Sequence, residues 1–309
     1  MDKLHVVVGA GGLGLSVAAD LIPRGERVRV VSRSGSHGVS GAETVGADAT
    51  NPADLDVALA GASVVYQCAQ PEYTRWAEEF PQLQQGILDA TVRAGADLVI
   101  ADNLYMYGDP DGAVITESSA ENPVTKKGRV RKAMADAALD AHRAGRLRVA
   151  ISRPADYFGP GHDQSSEAIF GAAAAGKRMQ FFGRMDVAHS LSYVPDAAAA
   201  MATLGTSDAG WGSVWIAPVQ PPITQQELSE RAWKAAGNTG SPKVTVIGRA
   251  SLRVIGLVVP VVREFAEMAY LFDKPFVVDS SRFESTFGVS ATPNDAAIAA
   301  TIEHYRGTR

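Results

Sequence analysis

Six residues near the start constrain this chain more than any other stretch. Gly9-Ala10-Gly11-Gly12-Leu13-Gly14 follows the β-branched run 4–8 and precedes apolar residues at Leu13, Val17, Ala18, Leu21 and Ile22, a helical spacing. Glycines at 9, 11 and 14 suit a turn that joins a buried strand to a helix. The first permits the tight turn, the second lets a pyrophosphate approach the backbone, and the third lets helix and strand pack closely. The helix start then offers free N–H groups and positive potential to an anion. The strand–loop–helix context makes dinucleotide binding, by Gly9, Gly11, Gly12, Leu13 and Gly14, the chemistry this loop points to.

The rest of the first half repeats the same rhythm. Short apolar strands are expected at 28–31, 43–48, 63–68, 98–101 and 147–152, alternating with helices at 52–59, 73–94 and 127–144, with a break at Pro81. Alternation of this kind predicts an α/β fold, a Rossmann-type doubly wound parallel sheet. After Arg153 the pattern loosens, and a smaller mixed α/β substrate-binding portion is expected at the C-terminus. The division falls at 1–155 and 190–217 for the dinucleotide domain, and 156–189 and 218–309 for the substrate portion. The apolar stretch 252–272 has helical spacing and reads as a buried helix or a cover over the cleft.

Composition excludes several function classes. Lys plus Arg is 29 and Asp plus Glu is 34, a net charge of −5, so the chain lacks the basic excess that nonspecific binding to nucleic acid or an anionic membrane requires. The one cysteine, Cys68, allows no intrachain disulfide, and no His or Cys pair has metal-ligand spacing, so no metal site is expected. The apolar opening carries no basic start or small-residue cleavage site, and a cytoplasmic monomer or homodimer acting on a small molecule is the expectation.

The second strand ends at Ser32-Arg33-Ser34. A site for NAD ordinarily has an acid here for the ribose 2′-hydroxyl. Arginine flanked by hydroxyls suits a 2′-phosphate, so NADP(H) is expected over NAD(H). With Gly46-Ala47-Asp48-Ala49, Tyr107-Gly108, Arg153-Pro154, Phe158-Gly159-Pro160-Gly161 and Tyr193-Val194-Pro195-Asp196 added to the glycine loop, the chain resembles an extended or atypical short-chain dehydrogenase/reductase of the NAD-dependent epimerase/dehydratase family. The resemblance implies that Asp48 and Ala49 hold the adenine, that Ala69, Gln70 and Pro71 line the nicotinamide half, that Pro154 sits against the carboxamide, and that Asn103 stands where a substrate-binding Ser or Thr is usual.

The family's usual base is a Tyr four residues before a Lys, and this chain departs from it. Lys127 stands in the place of the Tyr and Arg131 in that of the Lys. Lys127-x-x-x-Arg131-Lys132 is similar to a run in the isoflavone reductase group, where a lysine transfers the proton. A lysine desolvated beside Arg131 would lose charge readily, so Lys127 is expected to transfer a proton. Tyr105, just beyond strand five, is the other candidate, and Asn103 would polarise the acceptor oxygen. Asp156, Tyr157 and His189 are expected to touch substrate. The function expected is an NADPH-dependent reductase of a small carbonyl, imine or enone. The alternatives are a nucleotide-sugar epimerase or dehydratase with tightly held NAD, and a non-catalytic NADP(H)-binding sensor.

Overall fold

Runs of valine, isoleucine and leucine that are apolar on both faces can be buried only inside a covered sheet. The computed structural model, which describes residues 3–36, 39–161, 166–248, 251 and 260–307, places them there. In chain order the first half forms β1 (Leu4–Val8), α1 (Gly12–Leu21), β2 (Arg27–Ser32), β3 (Glu43–Gly46), α2 (Pro52–Ala58), β4 (Val64–Gln67), α3 (Trp76–Ala94), β5 (Asp97–Ala101), α4 (Lys126–Arg143) and β6 (Val149–Arg153). A seventh strand, Val214–Ile216, joins the far edge beside β6. Every neighbouring pair is parallel, and β1 lies between β2 and β4. The strand order therefore reverses at β1, and the loops after β1 and β4 open a crevice at that switch point.

Alternation along each strand divides the core in two. Val6, Val8, Val65, Leu98, Ile100 and Ile151 face α2, α3 and α4, where they meet Leu55, Phe80, Ile87 and Met134. Val7, Val30, Val64, Tyr66 and Val99 face α1 and the helix Val194–Thr206, packing on Val17, Leu21, Met201 and Leu204. Arg24, just past α1, donates from Nη1 to Thr203 Oγ1 at 3.2 Å, a second tie between those two segments. The remaining chain builds a smaller core from Phe158, Phe170, Met179, Phe181, Trp233, Ile298 and Ile302, around two-stranded pairings rather than a continuous sheet.

Three expectations need correction. Pro81 does not break α3, which runs through it from Trp76 to Ala94. Its ring removes one hydrogen bond near the helix start, and the buried stripe Trp76, Phe80, Leu83, Ile87 and Leu88 stays in phase across it. The third strand is shorter than expected and stops at Gly46: the Ala47 N–H makes the last bond to β2, at Ser32 O, and the next N–H, of Asp48, goes to the Asp54 carboxylate at 3.0 Å. The apolar stretch 252–272 is not one helix where it is described. It forms a helix, Pro260–Glu267, then a 3-10 turn, Ala269–Phe272, and residues 252–259 lie outside the described set. No helix among the described residues is long and apolar enough to cross a membrane.

Candidate active site

The glycine loop has the sterics its spacing implies. Gly9 has φ +110°, and a Cβ there would lie 2.5 Å from the Ala69 nitrogen, at the end of β4. At Gly14 a Cβ would lie 1.9 Å from the Gly9 carbonyl oxygen. Neither neighbour is a side chain that could swing away. At Gly11 a Cβ would meet nothing within 4 Å, so the loop is closed beneath and open above. Gly11 caps α1, Gly12, Leu13 and Gly14 form its first turn, and no acid stands there to oppose a phosphate.

Where the resemblance would put the adenosine, several of the side chains expected to bind it are engaged within the protein. Ser32 Oγ accepts the Gly35 N–H at 3.1 Å, and Ser34 Oγ lies 2.8 Å from Ser36 Oγ. Arg33 is exposed and makes no hydrogen bond among the described residues. Asp48 accepts from the Thr50 N–H at 2.9 Å and the Thr50 hydroxyl at 2.8 Å, which holds its carboxyl below the usual range, with Arg33 adding a smaller pull. Its own N–H goes to Asp54 at 3.0 Å, and Ala49 packs at the edge of the apolar layer under α2.

Beyond β4 and β5 the chain turns polar. Ala69 lies under Gly9, Gln70 is exposed, and the Pro71 carbonyl accepts from Trp76 Nε1 at 3.3 Å. Asn103 Oδ1 accepts the Tyr105 N–H at 3.1 Å, which leaves its amide nitrogen to donate elsewhere. The Tyr105 hydroxyl lies 3.4 Å from that of Tyr73, and burial pushes both phenols well up, so each stays protonated at neutral pH. Lys127 is buried, at 3% exposure, rather than solvated. Its ammonium pairs with Glu264, lies 3.5 Å from Glu267, and sits 4.5 Å above the Tyr73 ring. Lys127 is expected beside Arg131; its ammonium has in addition two carboxylate neighbours, from a helix far along the chain.

Arg131 has different company. Its Nε donates to Asp102 Oδ1 at 2.7 Å and its Nη2 to the Ala101 carbonyl at 2.8 Å. Asp102 Oδ2 accepts from Arg153 Nε at 2.9 Å, and Arg153 Nη1 reaches the Tyr107 hydroxyl at 2.9 Å and Glu121 at 2.6 Å. Arg131 and Arg153 are 2% and 1% exposed, so one carboxylate ties together two desolvated guanidiniums. Pro154, next in the chain, is buried. His189 Nε2 and Asp156 Oδ2 lie 2.8 Å apart, and the imidazole is stacked with Phe272 and Phe276. Tyr157 is partly buried, and burial raises its phenol. Sequence reasoning missed Tyr73, Glu264, Glu267 and the bridging role of Asp102. The signal for Asp102 was an acid beside Asn103 at a strand end; the glutamates gave none, being set in an apolar stretch. Among the described residues no group of acids, His and Cys could hold a metal.

A family model for NAD dependent epimerases/dehydratases matches residues 5–214, more than half of the chain. The chain belongs to the NAD dependent epimerase/dehydratase family. No curated protein matches it significantly. Many solved structures share the fold. DesIV from Streptomyces venezuelae, a dTDP-glucose 4,6-dehydratase seen with NAD bound, aligns with a TM-score of 0.81 at 17% identity, over 99% of this chain and 98% of that one. MoeE5, in complex with UDP-glucuronic acid and NAD, gives 0.79 at 21% identity over 100% of both chains. The UDP-glucose 4-epimerase of Thermus thermophilus, in complex with NAD, gives 0.80 at 18% identity over 99% of this chain and 100% of that one. At these identities the likeness concerns the fold. This member of the epimerase/dehydratase family places Lys127, Gly128 and Arg131 at the start of α4.

Proposed function

We propose that this protein is a nicotinamide-dinucleotide-dependent enzyme that moves hydride at a hydroxyl- or carbonyl-bearing carbon of a small substrate of the nucleotide-sugar type. The observation that carries this reading is the glycine loop, which admits no side chain at Gly9 or Gly14 and leaves open space at Gly11. Orphaned buried groups fit a polar ligand as well: Arg131 Nη1, Arg153 Nη2 and both amide atoms of Gln67 lack hydrogen-bond partners. All belong to the helix or strand ends below the C-terminal edge of the sheet, where ligands bind in open α/β folds. When bound, the dinucleotide supplies or accepts the hydride. Residues 1–155 and 190–217 would hold it, and 156–189 with 218–309 would hold the substrate. The ligands of MoeE5, UDP-glucuronic acid and NAD, support the substrate class.

On this reading Tyr105 gives the proton because it stands just past β5 beside Asn103; burial keeps its phenol protonated but also makes it a weak acid, which the bound substrate and dinucleotide would have to offset. The free amide nitrogen of Asn103 bonds the acceptor oxygen, and Asp156, oriented by His189, borders the substrate with Tyr157. Lys127 stays in its ion pair and sets the charge of the cleft. The test is to load the protein with NAD or NADP, add a panel of UDP- and dTDP-sugars and small carbonyls, and follow nicotinamide absorbance together with product stereochemistry. An epimerised or dehydrated sugar with no net change in dinucleotide is the expected result, and Tyr105→Phe should slow it about 100-fold. Bound dinucleotide with no turnover of any member of the panel would defeat the reading.

Arg33 favours a second reading, a reductase that consumes NADPH. Its unpaired guanidinium stands where an acid would bind a ribose hydroxyl. A charge-assisted bond to a 2′-phosphate contributes about 1.5–3 kcal/mol. Arg33→Asp should therefore weaken NADP binding by about tenfold or more and leave NAD no weaker. Equal binding of the two dinucleotides by the wild type, unchanged in the variant, would remove this reading.

A further inference from the structure

Lys127 is the only buried lysine among the described residues, and what buries it is a segment more than a hundred residues away. Glu264 and Glu267 stand three apart and so share one face of the helix Pro260–Glu267. Glu264 pairs with the ammonium, and Glu267 Oε2 lies 3.5 Å from it. The other oxygen of Glu267 accepts the Lys126 backbone N–H at 2.5 Å, capping the first turn of α4. The helix thus meets α4 through carboxylates.

Its C-terminal end is held in another way. Met268 and Leu271 are buried and pack with Leu104, Met106 and Tyr107. Between the helix and the turn after β4 remains a cavity of about 240 Å3, walled by Tyr73, Thr74, Ala77, Lys127, Glu264 and Glu267. It is large enough for several waters or a small organic group. An apolar anchor at one end and an ionic contact along the body make a hinge and a latch. Apolar contacts hold through a rotation, whereas an ion pair opens once water or another ion replaces one partner.

We infer that the helix Pro260–Glu267 is a lid on the substrate side of the cleft, hinged at Met268 and latched to Lys127 and the start of α4 by Glu264 and Glu267. What enters beneath it depends on the functional reading above; the latch does not.

Amine acylation of the intact protein, read residue by residue by mass spectrometry, tests this without a substrate. Lys126 is exposed and adjacent, so it is the internal reference. In the wild type, Lys127 should react far more slowly than Lys126. In the Glu264→Gln/Glu267→Gln protein the Lys127 to Lys126 ratio should rise about tenfold, because opening no longer separates an ion pair. Arg263 lines the same cavity but pairs with neither Lys127 nor the start of α4, so Arg263→Gln should leave the ratio at the wild-type value. A ratio that stays at the wild-type value in both the double variant and Glu264→Gln overturns the lid. So does a rise shared by the half-buried Lys132, which would report general loosening. Dinucleotide titration of the same samples keeps the outcomes separate: if the wild type fails to bind NAD and NADP, the functional reading falls while the labelling still decides the latch.

Discussion

Asp102→Asn should lower the unfolding free energy by about 3–5 kcal/mol, the cost of removing one partner from a buried ion pair. The change is nearly isosteric, so it isolates charge from shape. Asp102 gives one oxygen to each of two guanidiniums, at 2.7 Å to Arg131 Nε and 2.9 Å to Arg153 Nε. The asparagine oxygen could accept from only one of them and its NH2 would face the other; beyond that Arg153 keeps Tyr107 and Glu121, and Arg131 the Ala101 carbonyl. Each arginine already carries one orphaned nitrogen, so the layer has no spare acceptor to take over. Urea unfolding of the two proteins measures the loss. Asp136→Asn, which removes an exposed partner of Lys132, is the control and should cost under about 1 kcal/mol. A loss at Asp102 no larger than the control's would mean that water, not the carboxylate, balances the guanidiniums.

The second large effect is expected in the glycine loop, where two neighbouring substitutions should separate binding from folding. Gly14→Ala brings a methyl within 1.9 Å of the Gly9 carbonyl oxygen, so α1 and the loop must part. The variant should lose both stability and dinucleotide affinity, the latter by about 100-fold, equivalent to about 2.7 kcal/mol. Gly11→Ala meets no protein atom and should unfold at the wild-type denaturant concentration. Its methyl projects instead into the open space above the loop and should weaken dinucleotide binding by a similar factor. Calorimetric titration with NAD and NADP, beside a denaturation curve for each protein, gives the two numbers. Full affinity in Gly11→Ala would place the phosphates elsewhere.

The sheet was legible because its signals are local. Val6-Val7-Val8 and Val64-Val65-Tyr66 are apolar on both faces, which only a covered parallel strand satisfies, and glycine spacing marks the turn between β1 and α1. The capping box of Thr224 and Glu227, at the start of the helix Gln225–Ala235, is local in the same way, since its partners lie three residues apart. Lys127 and Arg131 could be placed on one helix face from their spacing alone. Their partners could not, because Asp102 lies 29 residues from Arg131 and Glu264 lies 137 from Lys127. No periodicity encodes such pairings; they follow from how the elements dock. Pro81 misled for the opposite reason. A strong local rule was overridden by a stripe of side chains that packs on both sides of it.

The brace on α1 has a consequence for biosynthesis. The helix that covers Val17 and Leu21 is Val194–Thr206, and Arg24 reaches Thr203 across 179 residues. A ribosome must deliver some two thirds of the polypeptide before the first helix acquires its cover. Until then, a nascent segment with an apolar flank waits in water or on a chaperone. Competence to grip a nucleotide should consequently emerge late and all at once, and a fragment ending before that helix should be insoluble rather than a working miniature.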